Sequence, residues 1–244
     1  MYIVMGNGES RLAVDYTLLE PHVTYGCNAL FRDWSPTALV AIDEHMYHEV
    51  ISSGYSKNNK CYFSEYNVLP AEAYDMMKLS VPSNAEIVEN EPTGYMFSLL
   101  GRERRFNFDD AEETMKNVEK PIYYCSWITE GDKAENIDDV IGVILQDSGQ
   151  QALEICCTIE NPDKVYLLGF DLSINTGKVN NIYKNTSGYA PDYAQAVESS
   201  GWEADLNRIF DKYNETEFIH VQDKKILDIE TISVKEFINM IKDY

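Results

Sequence analysis

Ser148-Gly-Gln-Gln-Ala-Leu-Glu-Ile-Cys-Cys-Thr-Ile-Glu-Asn-Pro-Asp-Lys-Val-Tyr-Leu-Leu-Gly-Phe-Asp171 decides the fold class. Ala152, Leu153, Ile155, Cys156 and Ile159 fall at helical spacing, and Asn161-Pro162 ends that run. Val165 to Phe170 is apolar without alternation, the pattern of a strand buried on both faces, and it stops at Asp171. A helix, a short break and a buried strand are the second half of a βαβ unit. Working outward, Tyr2–Met5, His22–Gly26, Thr37–Ile42, Lys60–Phe63, Pro121–Cys125 and Phe218–Val221 read as further short strands. Met46, Val50 and Ile51 predict a helix after Asp43 that stops at Gly54, and Trp202–Tyr213 and Val234–Ile241 predict two more. The stretch from Asn67 to Glu119 holds Pro70, Pro82 and Pro92, two helical pieces and the charged turn Gly101–Arg105. Together these predict an α/β, Rossmann-like single domain over 1–244 with a mostly parallel central sheet. Residues 173–192, polar and poor in aliphatic side chains, are expected to form a small lid.

The 244 residues carry 41 acidic and 20 basic side chains, a formal net charge of -21. A surface that negative repels phosphate backbones and anionic lipid, so neither nucleic acid nor a membrane is an expected partner. No run reaches the roughly 18 apolar residues of a membrane helix, and Met1–Met5 lacks the basic flank of a secretory leader. The five cysteines, Cys27, Cys61, Cys125, Cys156 and Cys157, form no CxxC. A reduced, cytoplasmic chain without a structural zinc site is the expectation. A phosphorylated ligand must then be held locally, by backbone N–H groups and a few arginines.

In doubly wound folds ligands gather where strands end. After the first strand comes Gly6-Asn7-Gly8-Glu9-Ser10-Arg11, where two glycines let backbone approach a ligand and offer N–H groups to an anion. After the second come Asn28, with both donor and acceptor atoms, and the guanidinium fork of Arg32. Asp43, His45 and His48 follow the third, but their spacing is no recognised ligand pattern and no metal is assigned to them.

Gly6-Asn-Gly-Glu-Ser10 followed by Tyr25-Gly-Cys-Asn28 resembles the paired N-terminal motifs of the bacterial sialyltransferases of glycosyltransferase family 42. Ser148-Gly149 opening an apolar helix before Lys164–Asp171 is similar to the same family's nucleotide-binding segment, and to the related 6-hydroxymethylpterin diphosphokinases. The resemblance implies a nucleotide-binding transferase, with Gly6, Asn7, Gly8, Ser10, Asn28, Arg32, Ser148, Gly149 and Asp171 around the nucleotide. It further implies that Tyr183 and Tyr189 are lid tyrosines that donate hydrogen bonds to the leaving phosphate. One departure stands out. Those transferases carry a histidine base just after the lid, and here no histidine lies between His48 and His220.

The expected activity is therefore transfer from a nucleotide-sugar donor, a glycosyltransferase-like reaction without the usual lid base. A diphosphokinase-like enzyme is the alternative; it would need Mg²⁺, with Asp43 and Asp171 as the natural ligands. A non-catalytic binding or assembly module of the same fold is the third reading. No cofactor is assigned beyond the nucleotide ligand itself, and a homo-oligomer is left open.

Overall fold

The computed structural model describes residues 1–64, 133–142, 147–172, 177–196 and 199–243, and the backbone of five short strands between 67 and 128. The helical pieces expected between Asn67 and Glu119 lie outside the described residues, as do residues 121–123 of an expected strand and 173–176 of the expected lid. The chain divides into two compact units, Met1–Val40 with Ile137–Tyr244, and Ala41–Asn136.

The first unit is built on β1 (Tyr2–Met5), β2 (Val23–Cys27), β3 (Ala38–Ala41), β11 (Lys164–Leu168), β12 (Glu217–Val221) and β13 (Glu230–Ile232). Every pairing is parallel, in the order β3-β2-β1-β11-β12-β13. This is the α/β, mostly parallel architecture that the alternation of strands and helices predicts. β1 lies inside the sheet, with Ile3, Val4 and Met5 wholly buried, because its residues are apolar on both faces. From β1 the chain winds through β2 and β3 to one side; from β11 it winds through β12 and β13 to the other. The order reverses between β1 and β11, so a ligand crevice belongs at their carboxyl ends.

Four α-helices, and three short 3-10 turns at Glu9–Ala13, Tyr16–Leu19 and Asn28–Arg32, accompany this sheet among the described residues. The short α2 (Ile137–Val140) is followed by α3 (Ser148–Glu160), whose first turn is capped by Asp147 accepting from the Gly149 N–H at 2.7 Å. Asn161, left-handed at φ 44°, ends it. α4 (Ser200–Lys212) buries Leu206 and Ile209, and α5 (Val234–Lys242) is capped by the Ser233 hydroxyl. Between α3 and α4 the Glu154 carboxylate is fully buried and accepts from Arg208 Nη2 and Lys212 Nζ, both at 2.6 Å. Glu154→Ala leaves both cations half-solvated, so it should cost about 2 kcal/mol, below the 3–5 of a fully buried pair. Urea unfolding measures this, and a change under about 0.5 kcal/mol would make the pair a surface ornament.

His220 on β12 is wholly buried, its Nε2 lying 3.0 Å from the carbonyl oxygen of Phe170. A carbonyl only accepts, so Nε2 carries the proton of a neutral ring. Burial pushes its pKa below the usual 6.5, against the opposing pull of the Phe170 carbonyl and Asp171. His22 is lowered too, by burial and by the N-terminal ammonium. The unfolded chain binds protons that the folded one refuses below the usual value. Stability should therefore fall as pH drops below about 6.5, by at most about 1.4 kcal/mol per pH unit per histidine. His220→Leu should flatten that slope between pH 7 and pH 5, leaving only the His22 share.

The second unit holds β4 (Cys61–Phe63) and β10 (Ala134–Asn136), paired in parallel, and α1 (Glu44–Ser52), which Gly54 follows at φ 76°. A second sheet runs β5 (Asn67–Val68), β7 (Met96–Gly101), β9 (Tyr124–Ile128), β6 (Glu86–Ile87), with β8 (Arg104–Arg105) antiparallel on β7. Among the described residues no helix is long and apolar enough to cross a membrane. Cys27, Cys61, Cys156 and Cys157 are buried thiols outside any disulfide. Burial pushes the Cys157 thiol up to about 12, so it packs as a small hydrophobe and not as a nucleophile.

Candidate functional site

The carboxyl end of β1 is joined to that of β11 by backbone. Gly6 N–H donates to Leu168 O at 2.8 Å and Gly8 N–H to Gly169 O at 2.9 Å. Glu9 N–H donates to Asn180 and Ser10 N–H to Asp171, each at 2.9 Å. These donors of the turn are thus used inside the protein, which differs from the expected anion cradle. A parallel strand beside a tight turn takes its N–H groups before any ligand can. Charge at this position comes instead from arginine.

Arg11, which follows the turn, is wholly buried. Its Nη1 donates to Gly6 O at 2.8 Å and to Asn7 Oδ1 at 3.4 Å, and its Nη2 donates to the Tyr183 hydroxyl at 3.0 Å. The guanidinium carbon lies 5.7 Å from the ring centre of Tyr16 and 5.6 Å from that of Tyr183. Among the described residues no carboxylate pairs with it directly, and its buried Nε has no partner. Tyr183 in turn donates to Asp33 Oδ2 at 2.7 Å. Burial raises the Tyr183 pKa first; the Asp33 hydrogen bond and charge add to that, and Arg11 opposes it. The phenol is neutral.

Because an arginine only donates, the Asn7 atom facing Arg11 is its oxygen, and the amide nitrogen is aimed the other way. That nitrogen donates to the Tyr189 hydroxyl at 3.2 Å, and Ala29 N–H donates to the same oxygen at 3.3 Å. Asn28, left-handed at φ 50°, accepts from the Ser148 hydroxyl at 2.8 Å, which ties the end of β2 to the start of α3. Arg32 donates to Thr186 Oγ1 at 2.9 Å and Ser187 O at 3.0 Å, and lies about 5.9 and 5.8 Å from the ring centres of Tyr183 and Tyr189.

Asn7, Tyr183, Tyr189 and Arg32 are thus joined through Arg11 and ring contacts at the carboxyl ends of β1 and β2, and Asn28 and Ser148 form a separate bonded pair. The described part of the expected lid, residues 177–192, is folded onto that end: Ile182 N–H donates to Asn7 O at 2.9 Å, and Lys184 pairs with Glu9. Three expected contacts sit elsewhere. Gly149 spends its N–H on the Asp147 cap and lies near the Phe170 ring. Asp171 and Ser10 bond each other, and Asp171 also accepts from Gln222 Nε2 at 3.0 Å. These three organise the turn from its β11 side. Sequence reasoning missed Arg11 and Asp33; the signal for Arg11 was a cation set directly behind a glycine turn in an acidic chain. The described residues contain no cluster of three or more His, Cys, Asp or Glu able to hold a metal ion.

Comparisons of the chain with protein-family models, with curated proteins and with solved structures returned no match. Fold and site define an α/β protein with a polar, arginine-backed constellation at the carboxyl ends of its first two strands.

Proposed function

We propose that the chain is a nucleotide-binding transferase that uses a nucleotide-activated sugar. The observation that carries this reading is Arg11: a buried guanidinium with no directly paired carboxylate among the described residues, beside Asn7 and Tyr183, in a chain of net charge -21. A buried charge lacking its counter-ion is costly, and an incoming phosphate relieves that cost. Asn7, Asn28 and Ser148 supply neutral donors and acceptors for the nucleotide. As the bond from sugar to phosphate breaks, its electron pair and negative charge move to the phosphate oxygen. On this reading Tyr189 and Arg32 are the hydrogen-bond donors to the leaving phosphate. The wholly buried His220 is no candidate for the base that deprotonates the acceptor.

The test is a thermal-shift screen with cytidine and uridine mono- and diphosphates and with ATP, each with and without Mg²⁺. A nucleotide at about 100 times its Kd should stabilise the protein by about 2.7 kcal/mol. A shift without metal supports the nucleotide-sugar reading; a shift with ATP that requires Mg²⁺ transfers support to the diphosphokinase alternative. No shift with any nucleotide overturns both.

A further inference from the structure

Tyr183 has one hydroxyl proton to give, and in this structure it goes to Asp33. The phenol accepts from Arg11 Nη2 at 3.0 Å and donates to Asp33 Oδ2 at 2.7 Å, so one neutral group bridges a buried cation and an exposed carboxylate. The backbone of Asp33 is fixed as well: its N–H donates to Leu30 O at 3.0 Å and closes the turn Asn28–Arg32 that follows β2. Among the described residues no cation pairs directly with Asp33, so its charge serves no ion pair of the fold. We propose that Asp33 is a resident competitor anion: in the free protein it answers Arg11 through Tyr183, and it thereby opposes a phosphate that comes to Arg11. The inference rests on the reading of Arg11 as the cation of a phosphate site, and it adds what holds the affinity of that site down.

Two effects share one sign. The carboxylate takes the Tyr183 proton, and a hydroxyl carries only one, so Asp33 and an incoming phosphate oxygen exclude each other as its acceptor. The carboxylate also repels a second anion drawn to the same guanidinium, and the phenol between them carries no charge that would offset this. A purely structural role would have a different signature. Were Asp33 there only to hold Tyr183 against Arg11, removing its charge while keeping its acceptor would change nothing, and removing the acceptor would loosen the site. The phenol does not depend on Asp33 for its place. Tyr183 is buried, packs on the Tyr189 ring at 5.5 Å between centres, and donates its backbone N–H to Asn181 Oδ1 at 2.9 Å. With Arg11 still donating to its oxygen, the ring stays where it is when the carboxylate is gone.

The experiment titrates the full chain with inorganic phosphate, and separately with cytidine monophosphate, at neutral pH. NMR follows the Arg11 Nε–H; that nitrogen is buried without a partner, so its resonance reports an anion arriving at this guanidinium. Asp33→Asn keeps an acceptor for Tyr183 and removes the charge, whereas Asp33→Ala removes both. Asp163→Asn, exposed just before β11 and so at the opposite end of that strand, removes the same unit of charge as a control. Thermal unfolding checks that each variant folds. Phosphate should bind Asp33→Asn about fivefold more tightly than the wild type, the size of a water-screened charge at short range, and the ratio should approach one at about 1 M salt. Asp33→Ala should bind at least as tightly as Asp33→Asn, and Asp163→Asn within about twofold of the wild type. Unchanged affinity in Asp33→Asn, or weakened affinity in Asp33→Ala, overturns the proposal. So does equal tightening by Asp163→Asn, which assigns the gain to net charge, and so does phosphate that moves the Arg11 resonance in none of the proteins. Phosphate binding that responds to Asp33 as expected, without any binding of cytidine monophosphate, counts against the transferase reading and leaves the competitor anion standing. Nucleotide binding that ignores Asp33 does the reverse.

Discussion

Gly6→Ala should cost about 3–5 kcal/mol of stability, at the top of the range for a single substitution. A Cβ at Gly6 would lie 2.5 Å from the Gly169 carbonyl oxygen and 3.0 Å from its carbon. Both are backbone atoms, so no side chain can swing aside. The contact is reciprocal: a Cβ at Gly169 would meet Gly6 O at 2.8 Å, and Gly169 also stands at φ 75°. Neither strand end can retreat easily. β1 and β11 are paired from Tyr2↔Val165 to Met5↔Leu168, and the Gly6 N–H bond to Leu168 O continues that ladder. Gly142→Ala is the control. It has φ 65° but, among the described residues, nothing within 4 Å of an added Cβ, so the left-handed conformation alone penalises it, by about 1–2 kcal/mol. Urea denaturation of both variants compares close approach with backbone conformation alone. A Gly6→Ala protein as stable as Gly142→Ala would mean that the two strand ends separate cheaply.

The strands that meet at those glycines are the part of the molecule most legible in the sequence. Tyr2–Met5 and Val165–Leu168 are apolar on both faces and stop at glycine, so burial and termination are written in the same few residues. α3 was legible by spacing and α5 by its run from Val234 to Ile241. Glu230–Ile232 was not. Three residues at the rim of the sheet, one of them a glutamate, carry no periodicity from which a strand can be read. The site was legible in composition but not in connection. Asn7, Asn28, Ser148 and Tyr189 follow from a strand-end rule and a family resemblance; the structure bonds Asn7 to Tyr189 and Asn28 to Ser148. The burial of Arg11 depends on Tyr183, 172 residues away, and that of Tyr183 on its packing against the first strand's turn. Local sequence holds no record of such a pairing. The glycine turn predicts a place for anions from its N–H groups; in the structure the end of β11 and Gly169 take those of Gly6 and Gly8, and the Asn180 and Asp171 side chains take those of Glu9 and Ser10, pairings that only the folded sheet shows.

Arg11→Met should then separate the cost of holding the site from its use. In the free protein the substitution removes a buried charge and three donated hydrogen bonds. The lost bonds strand the Gly6 carbonyl, at about 1–3 kcal/mol for a buried polar group. Against this, an apolar side chain of similar length no longer has to be desolvated as a cation, a gain of comparable size. Tyr183 keeps its bond to Asp33 and remains a neutral phenol, since Arg11 was the influence pulling its pKa down. The stability of the free protein should therefore move by no more than about 1 kcal/mol. Nucleotide affinity should not survive so well. A unit charge about 7 Å from a phosphate, at an effective dielectric of 20, contributes roughly 2 kcal/mol, or about 30-fold in Kd. Arg11→Lys keeps the charge and loses the fork, so it should fall between wild type and the methionine variant. Titration calorimetry with the nucleotide that gives the largest thermal shift reads the affinities, and urea unfolding reads the free protein. Unaltered affinity in a folded Arg11→Met protein would remove the phosphate from beneath Asn7 and Tyr183. A variant that cannot fold while Arg11→Lys does would show that the guanidinium's charge serves the fold, and the reading of a cation held in reserve for a ligand would fail.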